Sequence, residues 1–138
     1  MIMFSDSLDM HILGDALYVD IDIWDTNAKE YEAAFLTFDT GATVTTISST
    51  ALEALGYDIS TGREHKITTG SGVATVREVT VDKLRIGSHY VLENVKVYAH
   101  TFPDECFTMG VVGLNVLSQF DILLSFRNKI IKLAKIDQ

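Results

Sequence analysis

Ala33-Ala34-Phe35-Leu36-Thr37-Phe38-Asp39-Thr40-Gly41-Ala42 is an apolar run that ends on a carboxylate, a hydroxyl and a glycine. The run has the composition and length of a buried strand. A carboxylate at its end is costly, because burying an unpaired charge is strongly unfavourable or forces protonation. Folded chains seldom carry that cost without a use for it. The glycine lets the backbone turn tightly and approach another segment or a ligand closely. By itself the triplet Asp39-Thr40-Gly41 recurs by chance. The plain alternative is a strand-end aspartate in an Asx turn.

Two later segments belong with it. Val111-Val112-Gly113-Leu114-Asn115-Val116-Leu117-Ser118-Gln119-Phe120 is a hydrophobic-hydrophobic-glycine stretch running into a short helical pattern. Asp121-Ile122-Leu123-Leu124-Ser125-Phe126-Arg127-Asn128-Lys129-Ile130-Ile131-Lys132-Leu133 has the pattern of a closing hairpin. Its turn is expected at Arg127-Asn128, with asparagine in the left-handed region. Taken together, the three blocks resemble those of the aspartic proteases, and their order and spacing suit the single-domain, retropepsin-like branch. The resemblance covers residues 17 to 134. It implies a mostly β fold, a small closed β-barrel of the retropepsin-like (acid protease) type with two short helices. The domain would occupy residues 13–138, behind an N-terminal arm, ordered or disordered, over residues 1–12.

Period-two alternation marks the other strands. Leu17, Val19, Ile21 and Ile23 alternate with Tyr18, Asp20 and Asp22. Val79, Val81, Leu84 and Ile86 line a later strand whose change of phase predicts a bulge near Asp82-Lys83. Val91, Val95 and Val97 lie on another, beyond Gly87-Ser88. Ser48-Ser49-Thr50 offers N-cap side chains for a helix over Ala51–Leu55, which Gly56 stops. A second helix begins near Gly113 or Leu114 and ends near Phe120. Asp25-Thr26-Asn27 lacks the glycine of the first motif and has the character of a turn. No internal repeat is visible, so the chain carries one Asp-Thr-Gly motif rather than two.

Composition narrows the classes of function. The chain has 138 residues, suited to one domain, and is 47% hydrophobic. Its net charge of -8 argues against a nucleic-acid partner, since phosphate binding needs a basic face. No apolar run approaches the roughly 20 residues that cross a bilayer, so no membrane partner is expected. Met1-Ile2-Met3-Phe4-Ser5-Asp6 has no positive region and no long apolar core, unlike a signal peptide. Cys106 is alone and is expected to be a packing residue, which fits a reducing, cytoplasmic location. His11, His65, His89 and His100 are scattered, so neither a metal nor a cofactor is expected. Glu30, Glu32, Glu78 and Glu93 are expected on a solvated face, and Asp121 in a structural role.

The resemblance assigns the chemistry. Asp39 would be the catalytic carboxylate. Since one chain supplies one aspartate, two chains would meet across a two-fold axis as a homodimer, acting on a peptide or protein substrate. Thr40 would bond across the axis, Gly41 would bring its N–H to the Asp39 carboxylate, and the small Ala42 would leave room for a substrate backbone. Thr69-Gly70-Ser71-Gly72 corresponds to the flap that closes over substrate; a plain hairpin turn is the alternative. Gly113 would let its backbone pass beneath the active-site loop, and Asn115 would satisfy local backbone groups. Against the endopeptidase stands a non-catalytic module of the same fold, serving dimerisation or adding an extended peptide as a strand.

Overall fold

The computed structural model describes residues 1–102 and 108–137. Strand β3 (Ala16–Asp25) and strand β4 (Glu30–Phe38) form the first long hairpin. Val19 faces Leu36 across the pair and Ile21 faces Ala34, all four buried. The β4 run is not buried throughout: Ala34 and Leu36 are, whereas Ala33 is exposed and Phe35 half-buried, its ring stacked on Tyr18 at 5.0 Å. The hairpin turns on Asp25, whose Oδ1 accepts the Asn27 and Ala28 N–H groups at 2.8 and 2.9 Å.

The remaining strands close on that hairpin. They are β5 (Thr46–Ser48), β6 (Glu64–Thr69), β7 (Gly72–Ile86), β8 (Tyr90–His100) and β9 (Gly110–Val112). Within the larger sheet β3, β4, β9, β5, β8 and β7 follow one another, and β7 pairs back onto β3 through Asp22↔Arg85 and Ile23↔Leu84. The strands thus form a ring around one apolar core. At this closure Arg85 Nε and Nη2 both donate to Asp22 Oδ2, at 2.9 and 2.7 Å. A partly exposed pair of this kind contributes about 0–1 kcal/mol. Ile23 and Leu84, 0% and 1% exposed, dominate the closure, since each such side chain is worth about 1.5–3 kcal/mol.

The phase change in β7 is not a one-residue bulge. Pairing runs Val81↔Val95 and then Lys83↔Glu93, so the register is unchanged and Asp82 and Asn94 drop out of the ladder together. Asn94 has φ 52°, and the freed Asp82 N–H donates to the Tyr57 hydroxyl at 3.3 Å. Both strands therefore switch faces at one point, which a single strand's pattern cannot distinguish from a bulge.

Helix α1 spans Ser49–Ala54, with Ser48 Oγ accepting the Ala51 N–H at 3.3 Å. Gly56 follows at φ 88°. Helix α2 is Leu114–Leu117, shorter than the pattern suggested, because Phe120 already begins β10 (Phe120–Ser125). β10 pairs with β11 (Ile130–Lys135). In the loop between them Lys129, not Asn128, has positive φ, at 52°. A four-residue loop puts its left-handed residue last, where the chain re-enters the strand.

Part of the expected arm is structured. Strand β1 (Asp6–Asp9) adds to β11 as the third strand of the smaller sheet, and β2 (His11–Leu13) pairs with β3. Leu8 and Met10 are buried in the core. The segment is too short to show a period, and its partner is the far end of the chain. Of the four glutamates, Glu30, Glu32 and Glu93 are exposed. Glu78 is half-buried and accepts from His65 Nε2 at 3.1 Å, so it is a cross-strand partner and not part of a solvated face. Cys106 lies outside the described residues.

Candidate active site

Asp39 stands where β4 ends. The parallel neighbour β9 holds it there: Phe38 pairs with Val112, and the Asp39 N–H donates to Val112 O at 3.1 Å. The chain then turns, with the Ala42 N–H donating to Asp39 O at 3.3 Å. Inside the turn the Gly41 N–H donates to Asp39 Oδ1 at 2.8 Å, fixing the carboxylate's orientation. In the single chain Asp39 is half-buried rather than buried. Its cost at the strand end is correspondingly smaller than the sequence suggested. Thr40 and Gly41 are exposed at the rim, and Ala42 is half-buried.

The loop rests on the segment around α2. Gly113 passes so close beneath it that an added Cβ would lie 2.7 Å from Ala42 O and 2.9 Å from the Val44 carbonyl carbon. The Leu114 N–H donates to Ala42 O at 2.8 Å, and the Asn115 N–H to Thr43 O at 3.2 Å. Asn115 Oδ1 accepts both the N–H and the hydroxyl of Thr45 at 2.8 Å, and its Nδ2 donates to Lys96 O at 2.7 Å. Thr45 Oγ1 accepts the Gly113 N–H at 3.1 Å, and Thr45 is fully buried. Residues 42–45 and 113–115 are thus cross-braced by backbone and amide bonds.

Above Asp39 lies the β6–β7 hairpin. Thr69 pairs with Gly72 around Gly70-Ser71. The Thr69 hydroxyl donates to Gly72 O at 3.0 Å and accepts the Ser71 N–H at 3.2 Å, closing the tip on itself. Gly72 has φ 118°, a conformation that favours glycine. Val73 beside the tip is 72% exposed. Loop and hairpin face each other across a cleft of about 810 Å³, bordered by Asp39, Gly41 and Ala42 on one side and Thr69, Gly70 and Ser71 on the other. Gly113 and Asn115 lie beneath this cleft as support. A smaller space of about 290 Å³ adjoins it between Ala42, Thr46, Ile67 and Tyr98.

Two residues of the site escaped the sequence reading. Thr45 looked like one hydroxyl among several in Thr43-Val44-Thr45-Thr46, and only its buried position singles it out. His100 borders the cleft from the end of β8, in a stretch whose pattern gave no reason to bring it near Asp39.

A ring of strands, a carboxylate held by its own turn and a hairpin roofing it define the class. A family model described as aspartyl protease matches residues 29–116, and the chain belongs to that family. The fold is retropepsin-like. The structure is similar to the crystal structure of a retropepsin-like aspartic protease from Rickettsia conorii, with a TM-score of 0.65 at 16% identity, covering 91% of this chain and 87% of that one. Comparison with curated proteins finds no match.

Proposed function

We propose that the protein is an aspartic endopeptidase whose site is completed by a second copy of the chain. The observation that carries the reading is Asp39, oriented by the Gly41 N–H at the floor of a cleft that a hairpin tip covers. One chain contributes one such carboxylate, so the partner's copy of Asp39 supplies the other across a two-fold axis. Two carboxylates in contact share one proton, as in aspartic proteases generally. The ionised one takes a proton from a water bound between them while the protonated one donates to the substrate carbonyl oxygen. The water oxygen bonds to the carbonyl carbon and gives a tetrahedral diol. Return of a proton to the amide nitrogen breaks the C–N bond and releases amine and acid.

This chain's residues have matching tasks. The Gly41 N–H keeps one carboxylate oxygen from rotating. Thr40, exposed at the rim, is available to bond the partner's loop. Ala42 adds no bulk where an extended peptide would run. The Thr69–Gly72 tip would exclude water on closing. Peptide digestion by wild type beside Asp39→Asn tests the reading: the variant should lose all cleavage and keep its oligomeric state. Cleavage that survives the substitution would rule it out.

A further inference from the structure

The cleft above Asp39 does not end at the catalytic loop. At His100 and Thr101 it adjoins a second space of about 420 Å³, between the start of α1 and strand β7. His100 borders both spaces. Of the residues lining the first, Asp39 and His100 carry the ionisable side chains; of those lining the second, His100 and Arg77 do. Hydroxyl-bearing residues supply half of the second wall: Ser49, Ser60, Thr75 and Thr101. Among the described residues, no carboxylate lines it.

His100 also differs from the other histidines. His11 pairs with Asp20 at 3.3 Å, His65 with Glu78 at 3.1 Å and His89 with Asp6 at 3.0 Å. Among the described residues His100 has no such carboxylate. Its ring is half-buried and braced edge-on by Phe102, with centroids 5.0 Å apart and planes at 86°. Arg77 is equally fixed. Its Nη1 donates to Gly62 O at 3.0 Å and Ser60 O at 3.3 Å, and its Nη2 to the exposed Glu64 at 2.9 Å. An imidazole with no carboxylate partner among the described residues, a held guanidinium and four hydroxyls together suit a carboxylate.

We infer that His100, backed by Arg77, is a specificity-determining residue that seats an acidic side chain, aspartate or glutamate, of the bound peptide. The inference rests on the reading of Asp39 as catalytic and names the substrate class of the same cleft. It opposes the expectation from net charge, since a chain at -8 should repel acidic peptides. The local effect wins because exposed charges are screened beyond about 8 Å at physiological salt, whereas a side chain seated in the groove would touch the imidazole. Histidine changes charge between roughly pH 5 and 8, so the preference should strengthen in acid. Among the described residues, the other charged side chains lining these two spaces are Asp39 and Arg77.

The test uses peptides that differ only in Glu, Gln or Lys at successive positions around the cleaved bond. Relative kcat/KM is measured for wild type, His100→Gln and His100→Lys at about pH 5.5 and 8. Binding of the Glu and Gln peptides to Asp39→Asn, with and without His100→Gln, is measured alongside. At one position Glu should be favoured over Gln about tenfold in acid, the worth of one charge-assisted hydrogen bond. The preference should vanish toward the higher pH and in His100→Gln, and persist at both pH values in His100→Lys. A Glu preference that His100→Gln leaves intact, or no preference at any position, overturns the inference. If wild type cleaves nothing, the binding arm still decides this point while the endopeptidase reading alone fails.

Discussion

Asn115 Oδ1 accepts two hydrogen bonds from Thr45, one from its N–H and one from its hydroxyl, both at 2.8 Å. The residues are 70 positions apart, and the bonds tie the segment after the Asp39 loop to α2. Thr45 is fully buried, so no water can replace them. Asn115→Ala should cost about 2–3 kcal/mol, the penalty for stranding buried donors. Asn115→Asp keeps the acceptor but sets a carboxylate oxygen against Lys96 O, where Nδ2 now donates. Both variants should lower the urea midpoint, and the alanine variant should lose cleavage even where it remains folded. A midpoint equal to wild type in Asn115→Ala would show the bonds to be dispensable.

Gly113 is required for space rather than for conformation, since its φ of -109° suits any residue. An alanine Cβ would lie 2.7 Å from Ala42 O and 3.1 Å from the Thr45 N, both backbone atoms that cannot swing away. Relief has to come from moving the Asp39 loop. Gly113→Ala should therefore cut kcat by at least about a hundredfold, the scale of a misplacement near 1 Å. Single-turnover cleavage against thermal unfolding separates that loss from simple destabilisation.

The tip of the β6–β7 hairpin allows a paired comparison. Gly72 has φ 118°, whereas Gly70 lacks a positive φ, and a Cβ at either would meet nothing within 4 Å. Gly72→Ala should strain the tip by about 1–2 kcal/mol or more, and Gly70→Ala should not. Cleavage should fall in the first variant and stay near wild type in the second. Equal effects would show that backbone conformation at Gly72 does not govern the hairpin.

The long strands and the helix stop were legible because each is written locally. Val19, Ile21 and Ile23 carry their own period, and Ser48 and Gly56 bracket α1 without help from distant residues. What escaped was non-local. β1, β5 and β9 are three or four residues long, and each exists through a partner far along the chain. The ring closure at Asp22↔Arg85 is of the same kind. In the site, Asp39 and Gly113 stood out by motif. Thr45 and His100 did not, because burial and a cleft wall are properties of the assembled sheet.

Tyr57 tests the double kink of β7 and β8. Its hydroxyl donates to Trp24 O at 2.7 Å and accepts the Asp82 N–H that the ladder has released. Burial raises its phenol above the ordinary tyrosine value, and the neighbouring Asp82 and Asp25 add to this against the Asp82 N–H bond. It therefore remains a neutral donor well past neutrality. Tyr57→Phe should cost about 1–2 kcal/mol by leaving both backbone groups short of a partner. Hydrogen exchange at Asp82 should speed up more than at Val79, if the hydroxyl is what protects that amide.

Asp6 carries the clearest pH dependence. Its side chain is 6% exposed, and burial pushes its carboxyl up. Hydrogen bonds from the Ser7 N–H, the Ser88 N–H and hydroxyl, and the His89 N–H outweigh burial and hold it below 3.8. The native state thus binds this proton less readily than the unfolded chain does. The stabilisation is fully present above the unfolded value, near 3.9, and is lost as pH falls through the lower folded value. Asp6→Asn exchanges the charged acceptor for an amide whose NH2 confronts some of those donors. It should be less stable than wild type by about 1–3 kcal/mol at neutral pH, and the gap should narrow below about pH 4. The bonds anchor β1 to the β7–β8 turn, so loss of amide protection should begin at Leu8. Urea unfolding of both proteins from pH 7 down to pH 3 reads the gap directly, and a gap that stays constant across that range would exclude the Asp6 carboxylate as its source.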